Sequence, residues 1–147
     1  MYNNVLVAVH GEEKDNFRQE LTEFIKLLKC KVTIIHVAET HLDHYGYVDQ
    51  LASAITKDQF IEYIHNMART KQKEIYEFFT ALTSSLGVEM EWKVRNGKPA
   101  NIIADEIMQG KYDLIILGTK PKAPGNTSSK VKEKLISNLT NSLLIIK

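Results

Sequence analysis

Cysteine is almost missing: Cys30 is the one thiol in 147 residues. That excludes an intramolecular disulfide and any metal site built from several thiolates. Cys30 sits between Lys29 and Lys31 at a helix-to-strand junction, which suits a structural rather than a redox role. No stretch approaches the roughly 20 consecutive apolar residues of a membrane span. Met1-Tyr2-Asn3-Asn4-Val5 lacks the basic and apolar regions of a secretory signal, so a cytoplasmic location is expected. Neither sign of charge is in excess. With 19 Lys and Arg against 18 Asp and Glu, the net charge of +1 gives no field that would gather nucleic acid or an anionic membrane. Repeats, low-complexity tracts and linkers are missing too, so residues 1–147 are expected to form a single domain. At 44% hydrophobic residues it has enough to bury a sizeable core.

What is present is a set of short apolar runs separated by helical stripes. Val5-Leu6-Val7-Ala8-Val9 shows no alternation, the mark of a strand buried on both faces, and stops at His10-Gly11. Glu12, Glu13 and Asp15 put negative charge at a helix start, where the macrodipole favours it. Phe17, Leu21, Phe24, Ile25 and Leu28 then form an amphipathic stripe. Val32 to Val37 reads as the next strand, rich in β-branched residues. Residues 39–56 are irregular, with a short helical turn expected around Leu51 to Ile55. A long helix follows, from Thr56 or Asp58 to Ser84, with Ile61, Ile64, Ala68, Ile75, Phe79 and Leu82 on its inner face. Gly87 stops it. Val88, Met90, Trp92 and Val94 alternate with charged residues, predicting a half-exposed strand at a sheet edge. Pro99 opens a short helix carrying Ile102, Ile103, Ile107 and Met108. Leu114 to Leu117 is again wholly apolar and ends at Gly118-Thr119. A loop with two prolines and a glycine leads to an amphipathic stretch, Lys130 to Leu139, and to a last run, Leu143-Leu144-Ile145-Ile146. The alternation of strand and helix predicts an α/β three-layer sandwich around a five-stranded, mostly parallel sheet. Ligands of such sheets bind outside the carboxyl ends of the strands. Gly118 to Lys132 is therefore the first place to look for a site.

The order of these segments resembles the universal stress protein family along nearly the whole chain. Val5 to Glu12 is similar to the family's first strand and turn, V-A-V-D-G-S. Ile34-Ile35-His36-Val37 resembles the end of its second strand, and Gly97-Lys98-Pro99 its third crossover. Tyr112 to Thr119 is similar to D-L-I-V-M-G-S, and Ser142 to Lys147 to its closing strand. The resemblance implies strand order 3-2-1-4-5, the adenine nucleotide alpha hydrolase-like fold, a site between the first and fourth strands, and frequent dimerisation. One branch of the family binds ATP through a Gly-x-x-Gly-(x)9-Gly-Ser/Thr loop. On this chain that site maps to Val9, His10, Val37, Gly118, Thr119, Lys120, Ser129, Lys130 and Val131.

Three departures set this chain apart from that branch. Pro121 stands at the second glycine and removes a backbone donor. The loop is about two residues short, leaving Gly125 out of register. His10 replaces the usual acidic residue. ATP or AMP binding is therefore expected to be weak or lost. Lys120, Lys122, Lys130 and Lys132, with Ser128 or Ser129 capping the last helix, would retain some phosphate affinity. The competing account is an ordinary solvated loop and basic helix face. His10, His36, His41 and His44 lie on neighbouring strand ends and the adjoining loop, and imidazole suits Zn, Cu or Ni. His41-x-x-His44 is a weak pattern, however, and His36 is the residue common at that place in the family, so no metal is expected.

Catalysis is not expected either. No Ser-His-Asp order, P-loop or Gly-x-Gly-x-x-Gly occurs, and Asp113 falls at the amino end of its strand, away from the site. The expected function is a dimeric binding or regulatory domain in the stress response, paired through Leu143, Leu144, Ile145 and Ile146. The alternatives are a slow ATP hydrolase on the same scaffold, or a subunit that serves mainly to dock another protein.

Overall fold

The computed structural model describes residues 2–10, 13, 15–38, 54–118, 133–137 and 141–147, apart from the side chains of 54–61, 63 and 64. Strands β1 (Asn4–Val9), β2 (Lys31–Ala38), β3 (Met90–Asn96), β4 (Leu114–Gly118) and β5 (Ser142–Ile146) form one sheet in the order β3-β2-β1-β4-β5. All four pairings are parallel. The expected class and strand order are both present.

Helices cover both faces of the sheet, which is why β1, β2 and β4 read as unbroken apolar runs. On one face, α1 (Asp15–Leu28) and α2 (Ala54–Leu86) bring Phe17, Leu21, Ile25, Ile75 and Phe79 onto Val5, Val7, Val9, Val32, Ile34 and Ile116. On the other, α3 (Pro99–Gln109) and helical residues 133–137 bring Ile103, Ile107 and Leu135 onto Leu6, Ala8, Ile35, Val37, Ile115 and Leu117. Each fully buried Leu, Ile or Val contributes about 1.5–3 kcal/mol, so the β1 run alone is a large share of the core.

Helix ends follow local chemistry. Gly87, at φ 66°, ends α2; its N–H donates to Ser84 O at 3.3 Å, and that of Val88 to Thr83 O at 2.9 Å. This pair of bonds is a Schellman cap. At the end of α1, Lys29 takes the left-handed conformation instead, at φ 48°, with its N–H on Ile25 O, and the buried Cys30 follows.

Two expectations about the helices change. The long helix runs from Ala54 to Leu86, longer at both ends than the span from Thr56 or Asp58 to Ser84. Ile75, Phe79 and Thr83 are buried, and Ala68 and Leu82 are half-buried. Ile61 and Ile64 fall outside the described side chains. Glu62, His65, Asn66, Met67, Arg69 and Thr70 are all exposed. At 33 residues α2 is about 50 Å long, against about 26 Å for the eight residues of β2, so it outruns the sheet. In α3, Met108 does not face the core: it is 85% exposed, and Glu106 takes the inward position at 7%. The helical period explains this. Glu106 lies three residues from Ile103 and shares its face, whereas Met108 lies five away and turns outward. The expected turn at 51–55 and most of the Lys130 to Leu139 stretch lie outside the described residues, apart from helical Ala54, Ile55 and 133–137.

Glu106 is buried because it is paired. Its Oε1 accepts from Lys93 Nζ at 2.6 Å and from the Tyr112 hydroxyl at 2.7 Å. Burial works against the charge, but the hydrogen bonds from Lys93 and Tyr112 outweigh it and hold the carboxyl below the usual glutamate range. The bond to Glu106 likewise holds the Lys93 ammonium above its ordinary range. Burial, and then the bond to Glu106, pushes the Tyr112 phenol up. At the amino end of the sheet, Asp113 Oδ2 accepts from the backbone N–H groups of Asn3 at 2.6 Å and Asn4 at 3.0 Å. This clamps the start of β1 to the start of β4 and lowers the Asp113 pKa through those two bonds.

The two sheet edges differ. Along β3 and the adjoining turn, Glu89, Glu91 and Lys93 form ion pairs with one another and with Lys31, at 3.4–3.8 Å. On β5, Leu143, Leu144 and Ile145 are half-buried and the strand carries no charge.

Glu106→Gln should lower stability by about 1–3 kcal/mol in urea unfolding, since Lys93 then loses its charged partner. Combining Lys93→Met with Glu106→Leu should recover most of that loss. Asp113→Asn should lower the melting temperature at pH 7. Because the folded-state pKa of Asp113 is depressed, its contribution is complete above the ordinary aspartate range and is lost as pH falls through the folded value. Melting curves of the variant and the wild type should therefore converge on acidification towards pH 2.

Candidate functional site

Strands β1 and β4 are neighbours, yet the helices that follow them go to opposite faces. Helix α1 packs on the side of Val7 and Ile116, whereas Leu135, in the helical segment after β4, packs on the side of Leu6 and Ile115. Such a reversal opens a crevice beyond the carboxyl ends of the two strands, the usual ligand position in doubly wound sheets.

The described candidates lie near the carboxyl ends of β1, β2 and β4, on different sides of the sheet. Val9 ends β1, pairs with His36 and faces α1 and α2; Val37 faces the α3 side. Both are 5% exposed. Their side chains are core, which leaves backbone edges as what they offer a ligand. Gly118 ends β4 opposite Ile146. Thr119, Lys120, Ser129, Lys130 and Val131 lie outside the described residues, as do Pro121, Gly125, His41 and His44.

Gly118 is glycine for a reason of packing. A Cβ there would lie 2.9 and 3.0 Å from the Phe17 ring and 3.2 Å from Glu13 Cγ. Distances this short are not tolerated, so the missing side chain is what lets α1 close onto the end of β4.

His10 and His36 have different neighbours. His36 is 3% exposed and lies parallel to Trp92, with ring centroids 6.4 Å apart, and Tyr76 meets the other ring edge-on at 5.4 Å. His10 turns towards Glu13 instead, with Nε2 3.6 Å from Oε1. Among the described residues no group of three metal-ligating side chains comes together.

Glu13 is the residue that sequence reasoning missed. Paired there with Glu12, it reads as a solvated helix-start charge. In the structure its side chain is 3% exposed, and its Oε1 accepts the backbone N–H of His10 at 2.6 Å. One available signal was spacing: a carboxylate reaching back three residues to a backbone N–H is the geometry of a capping box. Asp113, by contrast, lies where expected, at the amino end of the sheet and far from the crevice.

The chain matches the model of the universal stress protein family over residues 1–147. No curated protein matches it in sequence. Solved structures share its fold at low identity. A universal stress protein family member from Burkholderia pseudomallei superposes with a TM-score of 0.67 at 15% identity, covering 99% of this chain and 96% of that one. A family protein from Arabidopsis thaliana, solved with AMP bound, gives 0.63 at 16%, covering 99% and 91%. The universal stress protein from Archaeoglobus fulgidus in complex with dAMP gives 0.61 at 16%, covering 99% and 98%. With the family's strand order, its crevice between β1 and β4 and its sequence pattern along the whole length, this chain belongs to the universal stress protein family.

Proposed function

We propose that the chain is a dimeric binding or regulatory domain of the stress response, with an adenine-nucleotide site that is weak or lost. AMP and dAMP in two neighbours of the same fold support adenine nucleotides as the ligand class. The observation that carries the weakness is Pro121, at the place of the loop's second glycine, where it supplies no N–H to a phosphate. Loss of that bond and of the one that the shortened loop keeps Ser129 and Lys130 from making, at roughly 1.5–3 kcal/mol each, weakens binding by about two to four powers of ten. The loop lysines recover part of that at low salt. On this reading the chain binds and does not catalyse, and it works in the cytoplasm; no helix among the described residues is long and apolar enough to cross a membrane.

The unequal edges support the dimer. β3 carries ion pairs, whereas β5 carries no charge, and an apolar edge without charge invites another strand. A second copy related by a twofold axis supplies an identical one, the commonest closed arrangement.

Light scattering should show a homodimer at micromolar concentration, and a monomer throughout that range would remove this half of the proposal. Ile145→Lys should dissociate it. Calorimetry at physiological salt should give ATP and AMP dissociation constants no tighter than about 100 μM, weaker again in Lys120→Ala or Lys130→Ala. The same protein should release no phosphate from ATP above the buffer rate. Low-micromolar affinity would refute the weak site, and steady phosphate release the absence of catalysis.

A further inference from the structure

The Glu13 side chain is buried beside the carboxyl ends of β1 and β4, and we propose that it occupies the crevice from within, so that a nucleotide enters only by displacing its carboxylate. The inference rests on the nucleotide-site reading and deepens it. The side chain touches both lips of the crevice. On the β1 lip its Oε1 holds the His10 N–H at 2.6 Å, the first backbone donor beyond the strand and the kind of group that a ligand oxygen takes. On the β4 lip its Cγ and the Phe17 ring lie over Gly118, within 3.2 Å of where a side chain would begin.

A charge serving only the helix dipole has no reason to leave water. Asp15, in the first turn of α1, does not and is exposed. The Glu13 side chain is 3% exposed, and a carboxylate so buried persists only because its hydrogen bonds replace hydration. The imidazole of His10, 3.6 Å away, adds to that setting. The carboxylate opposes a nucleotide twice. It holds a backbone donor, and it sets a negative charge where an anionic ligand would approach. The weak site therefore has a second cause, just beyond β1, independent of Pro121.

The test is calorimetric titration of the full-length wild type, Glu13→Ala and Glu13→Gln with AMP at physiological salt, with a thermal melt to establish folding. Glu13→Ala removes both the acceptor and the charge, and Glu13→Gln the charge alone. The expected result is AMP affinity at least tenfold higher in Glu13→Ala and higher than wild type in Glu13→Gln. Folded variants whose affinity stays within threefold of wild type, or no measurable binding by any of the three, would overturn the proposal. A low-micromolar wild type would sink the weak-site reading whatever the variants do, because the ratio of variant to wild type alone decides the role of Glu13. If neither variant folds, the wild-type amide spectrum decides. The His10 amide signal should shift as AMP saturates the protein, because its acceptor changes from the Glu13 carboxylate to the ligand. A His10 signal that stays in place under saturating AMP overturns the proposal.

Discussion

Strand β1 has a parallel neighbour on each side and helices on both faces, so nothing about it can be polar except its ends. Val5, Leu6 and Val7 have no exposed surface, and Ala8 and Val9 almost none. Once that strand is fixed, the rest has little freedom. β2 and β4 must flank it, their helices must cover it, and the polar work of the molecule is driven to the two rims. At the amino rim, Asp113 takes the N–H groups of Asn3 and Asn4; at the carboxyl rim, Glu13 takes that of His10. Both ends of the central strand are thus closed by a carboxylate on its backbone.

The strands were legible because burial on two faces writes itself as an unbroken apolar run, and β3 because exposure at an edge writes itself as alternation. The strand order came through the family resemblance of these segments, and the all-parallel pairing agrees with it. Tertiary pairing was not legible. Nothing in Asp105-Glu106-Ile107-Met108 states that a glutamate turns inward and a methionine outward, because the partners that make this tolerable, Lys93 and Tyr112, come from other elements. The face of Val37 was hidden for a related reason. A run with no alternation carries no information about which side each residue takes, and Val9 and Val37 prove to look in opposite directions. Glu13 was misread because a helix-start acid and a buried rim carboxylate look the same in sequence; only the closeness of α1 to Gly118 separates them.

That closeness gives Gly118 two possible duties. A glycine after a strand in this fold invites an explanation through ligand phosphates, and the same atom is required to be small by the Phe17 ring. Packing alone is sufficient to account for it. A glycine at this position is therefore not by itself a sign of nucleotide binding; the backbone donors around it are what a phosphate would use.

The inequality of the two sheet edges also governs how far assembly can proceed. A filament needs two receptive surfaces on every subunit, so that each addition exposes a fresh acceptor. Among the described residues, the ion pairs of Lys31, Glu89, Glu91 and Lys93 line one edge of the sheet, whereas β5 at the other carries no charge. On the proposed dimer, a subunit with one receptive border would stop growing once it met its mate. In that assembly the charged edge would act at a distance on the apolar one, making the pairing of a strand with the composition of a fibre-former self-limiting.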